Sequence, residues 1–256
     1  MNREEWLEER KKGIGGSDAA AIIGVNPFMT NIELWEYKTG RKQQEDISNK
    51  ECVKFGVAAE DHIRQLFALD YPEYELTSES FKTYANPEHS FIRGSFDGEL
   101  RLKAPEGASA HVAKNAYLDR QGSQCSSTGF RTPCQSAALS YGVWEAKTGT
   151  IRREADWVKW GGKNFTENRI PQNYYTQILH YFLVRKDFEF AVLRARLTEL
   201  LFNRQNIFES KRIHTRDYFI DRTKCADDLN YLYEKECEFW GYVERDERPP
   251  LIIQGI

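Results

Sequence analysis

Residues 141–148 read Tyr141-Gly142-Val143-Trp144-Glu145-Ala146-Lys147-Thr148. The run is short, apolar and bounded by polar sequence, the pattern of a strand. Residues two apart on a strand point to one face, so Glu145 and Lys147 project together while Trp144 and Ala146 face the other way. A carboxylate and an ammonium beside core-type residues are costly to bury unless something compensates. A divalent cation would compensate the carboxylate. Taken alone, Glu-x-Lys on a strand is also the pattern of a surface ion pair.

Upstream, 91–102 reads as a second strand with the same alternation. Arg93, Ser95 and Asp97 share one face; Ile92, Phe96 and Leu100 share the other. Gly98 lets the chain turn or lets a ligand come close. Asp97 thus stands at a strand end as a second carboxylate, although Asp-Gly alone is also an ordinary turn. Further upstream, a helix is expected over about 50–70, with a stripe of Ala59, Ile63, Leu66 and Phe67. Glu60 precedes Ile63 by three positions, which sets it on that stripe. Three carboxylates from a helix and two strands, with Lys147 beside them, form an oxygen-rich set suited to Mg²⁺ or Mn²⁺. Lys147 would orient a water or a phosphate, and would act as a base only if its pKa fell well below about 10.4.

The remaining elements follow from periodicity and punctuation. Residues 2–12 are helix-prone, and Gly13-Ile14-Gly15-Gly16 breaks that helix. Ser17 or Asp18 then caps a short helix, Ala19–Ile23. Thr30 and Glu33 form a capping box for a helix to Lys38. Strands are expected near 75–84, 188–198 and 214–221, and helices over 171–185 and about 224–244. Tyr231, Phe239 and Trp240 on the last helix read as core. Trp157 and Trp160, near Lys159 and Lys163, fit either a DNA groove or a packed aromatic pair. Residues 104–140, rich in Ala, Ser, Gly and Gln, have no firm period and read as an insertion within one domain spanning 1–256. Its His111, Lys114, Arg120 and Arg131 fit a solvated loop or phosphate contacts. The order predicts an α/β fold with a central mixed sheet flanked by helices.

Composition bounds the function. The 256 residues carry a net charge of −3, with 40% hydrophobic and 29% charged residues, which is ordinary for a globular protein. An acidic balance does not exclude a nucleic-acid enzyme, since basic residues need only cluster on one surface. No apolar run approaches the ~18 residues of a membrane span, and the first residues carry no secretory h-region. The five Cys include no tight pair, so a reduced, cytoplasmic setting is expected; Cys125 and Cys134 read as free thiols rather than zinc ligands.

Several blocks taken together resemble a known family. They are Arg10-x-x-Gly13-Ile14-Gly15-Gly16-Ser17-Asp18-Ala19-Ala20, Ile23-Gly24-Val25-Asn26-Pro27-Phe28 and Glu33-Leu34-Trp35-x-x-Lys38-Thr39-Gly40. Phe55-Gly56-x-x-x-Glu60, Ser95-Phe96-Asp97-Gly98, Trp144-Glu145-Ala146-Lys147-Thr148 and Pro171-x-x-Tyr174-x-x-Gln177-x-x-x-Tyr181 complete the set. In this order they resemble the phage-type alkaline exonucleases, the lambda exonuclease and YqaJ-like viral recombinase family of the PD-(D/E)XK nuclease superfamily. The resemblance implies a restriction-endonuclease-like domain that hydrolyses the 5′-ended strand of linear duplex DNA to mononucleotides. A 3′ single strand is left for a single-strand annealing protein in recombination and repair. It assigns the metal to Glu60, Asp97 and Glu145, catalysis to Asp97, Glu145 and Lys147, and the terminal 5′ phosphate to Arg10, Ser17, Ser95 and Gln177. Arg10 suits a two-pronged grip on phosphate, and Ser17 sits at an expected helix N-terminus, where anions are favoured. Relatives that form trimeric rings around DNA imply a homo-oligomer here, and the long gap between Asp97 and Glu145 departs from the simplest members. An endonuclease or nickase on the same core, and a non-catalytic DNA-binding module, are the alternatives.

Overall fold

The computed structural model describes residues 3–43, 45–79, 82–103, 140–165, 167–203, 205 and 208–252. The expected insertion, apart from Ser140, lies outside the described residues, as do Cys125 and Cys134. In chain order the helices are α1 (Arg3–Lys11), α2 (Gly16–Ile22), α3 (Asn31–Lys38), α4 (Glu51–Asp70), α5 (Glu154–Val158), α6 (Gln172–Val184) and α7 (Ala226–Glu244). The strands are β1 (Tyr74–Thr77), β2 (Tyr84–Ala85), β3 (Arg93–Gly94), β4 (Gly98–Leu102), β5 (Tyr141–Ile151), β6 (Phe188–Phe202) and β7 (Phe208–Asp221).

The main sheet has five strands in the order β1-β4-β5-β6-β7. Only β5 and β6 run parallel, so the sheet is mixed, as the α/β reading expects. A parallel pair needs a crossover, and α5 and α6 lie within it. The sheet's centre is covered on both faces. Ile63 and Phe67 of α4 pack with Trp144, Leu100 and Val192 on one side. Ile178 and Phe182 of α6, with α2 and α7, pack with Val143 and Ala191 on the other. Farther along that second face, Trp157 and Trp160 are buried with Leu193, Leu197 and Tyr218. The aromatic pair therefore belongs to the core and does not line a groove.

Several expected boundaries shift for identifiable reasons. The strand expected over 91–102 is interrupted: Ile92 bridges to Ile14, β3 pairs with β2, and β4 starts only at Gly98. Between them Phe96 turns inward onto Tyr84, Tyr181 and Phe188, which takes the chain out of the ladder. The strand expected over 75–84 correspondingly reduces to β1 and the first residue of β2. A Cβ at Gly98 would lie 2.6 Å from the Leu76 side chain, so its glycine serves the close packing of β1 on β4. On α4 the buried seam is Ile63 and Phe67, with Ala59 partly buried; Leu66 is exposed, because tertiary contact covers a narrower stripe than the sequence pattern suggested. Tyr231, expected in the core, is exposed on α7, whereas Phe239 is buried and Trp240 partly so. The short α5 escaped the sequence reading; Asp156 starts it by accepting from the amides of Arg152 and Arg153. Among the described residues no helix is long and apolar enough to cross a membrane.

Candidate active site

All eight residues singled out for chemistry line one cleft of about 630 Å³: Arg10, Ser17, Glu60, Ser95, Asp97, Glu145, Lys147 and Gln177. They come from α1, α2, α4, the β3–β4 link, β5 and α6, so packing alone gathers them.

The interior end of the cleft is set by β5. Trp144 is driven into the α4 core, and strand alternation turns Glu145 and Lys147 to the other face. Asp97 arrives beside them because Gly98 pairs with Trp144, and its Oδ2 accepts from the Ala146 amide at 2.9 Å. Glu145 is 2% exposed. Its Oε1 accepts from Lys147 Nζ at 2.5 Å and from Gln177 Nε2 at 2.8 Å, while its Oε2 is buried without a partner. Burial, reinforced by the Asp97 charge, pushes the Glu145 carboxyl up to about 8 despite Lys147. Asp97 is also raised, chiefly by burial, with Lys147 opposing. Burial pulls the Lys147 ammonium down, but Glu145 and Asp97 raise it more, so Lys147 stays charged. The condition for Lys147 to act as a base, a lowered pKa, is not met in this arrangement.

Two buried carboxyls that repel each other, one with an unpartnered oxygen, suit a hard divalent cation. The donor set therefore fits Mg²⁺ or Mn²⁺. Glu60 lines the same cleft, but its Oε1 is held by Arg64 Nη2 at 2.5 Å. Among the described residues no group of three His, Cys, Asp or Glu is gathered tightly enough to enclose an ion. Arg64 itself was not singled out in the sequence. Its signal was its place one helical turn after Glu60, where a Glu–Arg pair meets on one face.

The other end of the cleft carries the Ser17 and Ser95 hydroxyls with Arg10 and Arg93, the arginines paired to Asp18 at 3.8 Å and Glu9 at 2.6 Å. Helix α2 begins at Gly16, earlier than expected, with Gly15 as its cap. Asp18 is not the cap; its Oδ2 reaches back to accept from the Gly15 amide at 3.0 Å. Lys38 Nζ bonds the buried Asp18 at 2.7 Å, and Arg10 Nη2 donates to Ser17 Oγ at 2.8 Å. A Cβ at Gly16 would meet Tyr181 at 2.6 Å, so glycine there lets α2 seat against α6. Ser95 Oγ lies 3.2 Å from Thr83 Oγ1. Gln177 joins the two ends: its amide donates to Glu145 and, at 2.5 Å, to the Tyr181 hydroxyl. Tyr181, matched as part of a motif but given no role, thereby fixes the Gln177 rotamer.

Comparison with known proteins bears on the family and the fold. A family model described as the YqaJ-like viral recombinase domain matches residues 5–187. The chain is 28% identical over 246 residues to "Uncharacterized protein YqaJ" of Bacillus subtilis. That alignment covers 94% of this chain and 56% of the relative, so the chain spans little more than half of the relative's length. Among solved structures it is similar to an alkaline exonuclease (LHK-Exo) from Laribacter hongkongensis, with a TM-score of 0.53 and 12% identity. The match covers 95% of this chain and 93% of that one, and at this identity it speaks for the fold alone.

Proposed function

The chain belongs to the family of the YqaJ-like viral recombinase domain, and from that premise we propose that it is a Mg²⁺- or Mn²⁺-dependent exonuclease acting on the ends of duplex DNA. In this reading it hydrolyses the 5′-ended strand to mononucleotides and leaves a 3′ single strand for an annealing protein. The observation that carries the reading is the single cleft with its two unlike ends: buried, mutually repelling carboxyls at one and an Arg–Ser cluster at the other.

Asp97 and Glu145 would hold the metal, with Glu60 able to join them. A bound divalent ion supplies Lewis acidity and eases deprotonation of water at neutral pH. Lys147 stays protonated beside Glu145 and offers its ammonium to a phosphate oxygen or to the attacking water. Gln177 fixes the free rotation of Glu145 and borders the space between the two ends. Arg10 presents a planar fork to a terminal phosphate, and the Ser17 and Ser95 hydroxyls add donors around it. Anchoring that phosphate would bring the next phosphodiester to the carboxylates, which replaces a bimolecular encounter by a positioned one. The single-strand annealing partner, a ring-shaped homo-oligomer and a cytoplasmic setting belong to the same proposal.

The test is one digest. A linear duplex with a 5′ phosphate at one end only, and a closed circle, are incubated with the protein and Mg²⁺. Mononucleotides are expected from the phosphorylated end, with the circle intact. A cut circle would replace the exonuclease reading with an endonuclease, and no cleavage with Mg²⁺, or with Mn²⁺ in a parallel digest, would leave a binding module.

A further inference from the structure

We propose that Arg64 is the stand-in cation of the metal-free cleft: it holds Glu60 in place until a divalent ion takes over that carboxylate. The inference rests on the metal-dependent reading above and adds a residue to which that reading gives no part.

Three observations carry it. First, Arg64 lies where the ion would compete with it. Its Nη2 donates to Glu60 Oε1 at 2.5 Å and its Nη1 to Asp61 Oδ1 at 3.0 Å, and all three residues line the cleft. Second, its pair is one of two on the cleft: Lys147 Nζ lies 2.5 Å from Glu145 Oε1, as Arg64 Nη2 lies 2.5 Å from Glu60 Oε1. Each cation thus holds one carboxylate of the set assigned to the metal. Third, the pose of Arg64 is a compromise. Its guanidinium sits 5.9 Å from the centre of the buried Trp144 ring, and its Nε is buried with no partner. A guanidinium with a buried N–H left over is held by its carboxylates rather than by an optimal cradle. An ion on Glu60 would release it, while the exposed Asp61 keeps its other prong.

The opposite expectation follows from a merely supporting role. A residue that orients Glu60 for the ion would weaken metal binding when lost. A resident cation competes with the ion, so its removal strengthens binding. Mn²⁺ is titrated calorimetrically into the full chain without DNA, for the wild type, Arg64→Gln and Arg64→Lys. Removing one charge at this range is expected to tighten the Mn²⁺ Kd of Arg64→Gln on the order of tenfold. Arg64→Lys keeps the charge but loses the fork, and should tighten it less, by about threefold on the same scale. The Mn²⁺-induced rise in Tm should be larger in both variants than in the wild type, since ligand stabilisation grows as Kd falls. Unchanged or weaker Mn²⁺ binding in Arg64→Lys, or in folded Arg64→Gln, overturns the stand-in role and leaves the nuclease reading intact. No Mn²⁺ binding by the wild type overturns both.

Discussion

Two buried glutamates lie on the same face of the sheet and have opposite fates. Glu199 on β6 pairs in register with Ile151 of β5, an even number of residues from Glu145 on that strand. Glu199 is 4% exposed and Glu145 is 2% exposed. Both oxygens of Glu199 are met, by Lys163 at 3.0 Å and His214 at 3.1 Å. Burial raises the Glu199 carboxyl, but Lys163 and His214 outweigh it and the net is downward. Glu145 has two donors on one oxygen and none on the other, with Asp97 adding repulsion, and its carboxyl rises to about 8. A buried carboxylate neutralised by its own fold is structural. One left in deficit is poised for something that arrives from outside.

The largest break in this comparison should come from exchanging carboxylate for amide at each site. Glu145→Gln or Asp97→Asn should lower mononucleotide release at least about a thousandfold, the several kcal/mol that a Lewis-acid site supplies. DNA binding in a mobility-shift assay should be largely kept. Glu199→Gln should leave the rate near wild type and instead lower stability by about 1–3 kcal/mol, the worth of hydrogen bonds to a charged carboxylate. Its readout is the denaturant midpoint. A Glu199 variant that lost cleavage with an unchanged midpoint would erase the distinction.

At the other end of the cleft, Arg10→Ala should reduce the preference for 5′-phosphorylated over 5′-hydroxyl ends roughly tenfold, about the 1.4 kcal/mol of one charge-assisted contact. An unchanged preference would remove Arg10 from the phosphate pocket. The smallest effect sharpens the comparison by pH. The Glu145 carboxyl titrates higher when folded than unfolded, so between about 4.5 and 8 the folded protein holds the extra proton. The metal-free protein should therefore lose stability as pH rises through that window, read as a falling Tm. Glu145→Gln should flatten that slope. Glu199 contributes the opposite sign: its stabilisation is present above the usual carboxylate range and fades as pH falls through its lowered pKa.

Much of the site was legible before folding because it is written in local pattern. Alternation on β5 fixed which side chains accompany Glu145 and Lys147, and the capping box of Thr30 and Glu33 appears at its expected place. The break at residues 95–97 was not legible, since it depends on Phe96 finding Tyr84, Tyr181 and Phe188 from three other elements. Tyr231 and Leu66 failed for the same reason: periodicity says which face is apolar, and only packing decides how wide a stripe is covered.

The sequence by itself determined the order of the longer helices and strands, the mixed sheet, and the residue types offered to the cleft. It could not determine the charge state of any of them. That Glu199 is satisfied by Lys163 and His214, that Glu145 keeps an unpartnered oxygen, and that Glu60 is held by Arg64 were decided by the tertiary structure. The physical reason is that desolvation and Coulombic interaction sum over neighbours in space, and most of those neighbours are distant in the chain.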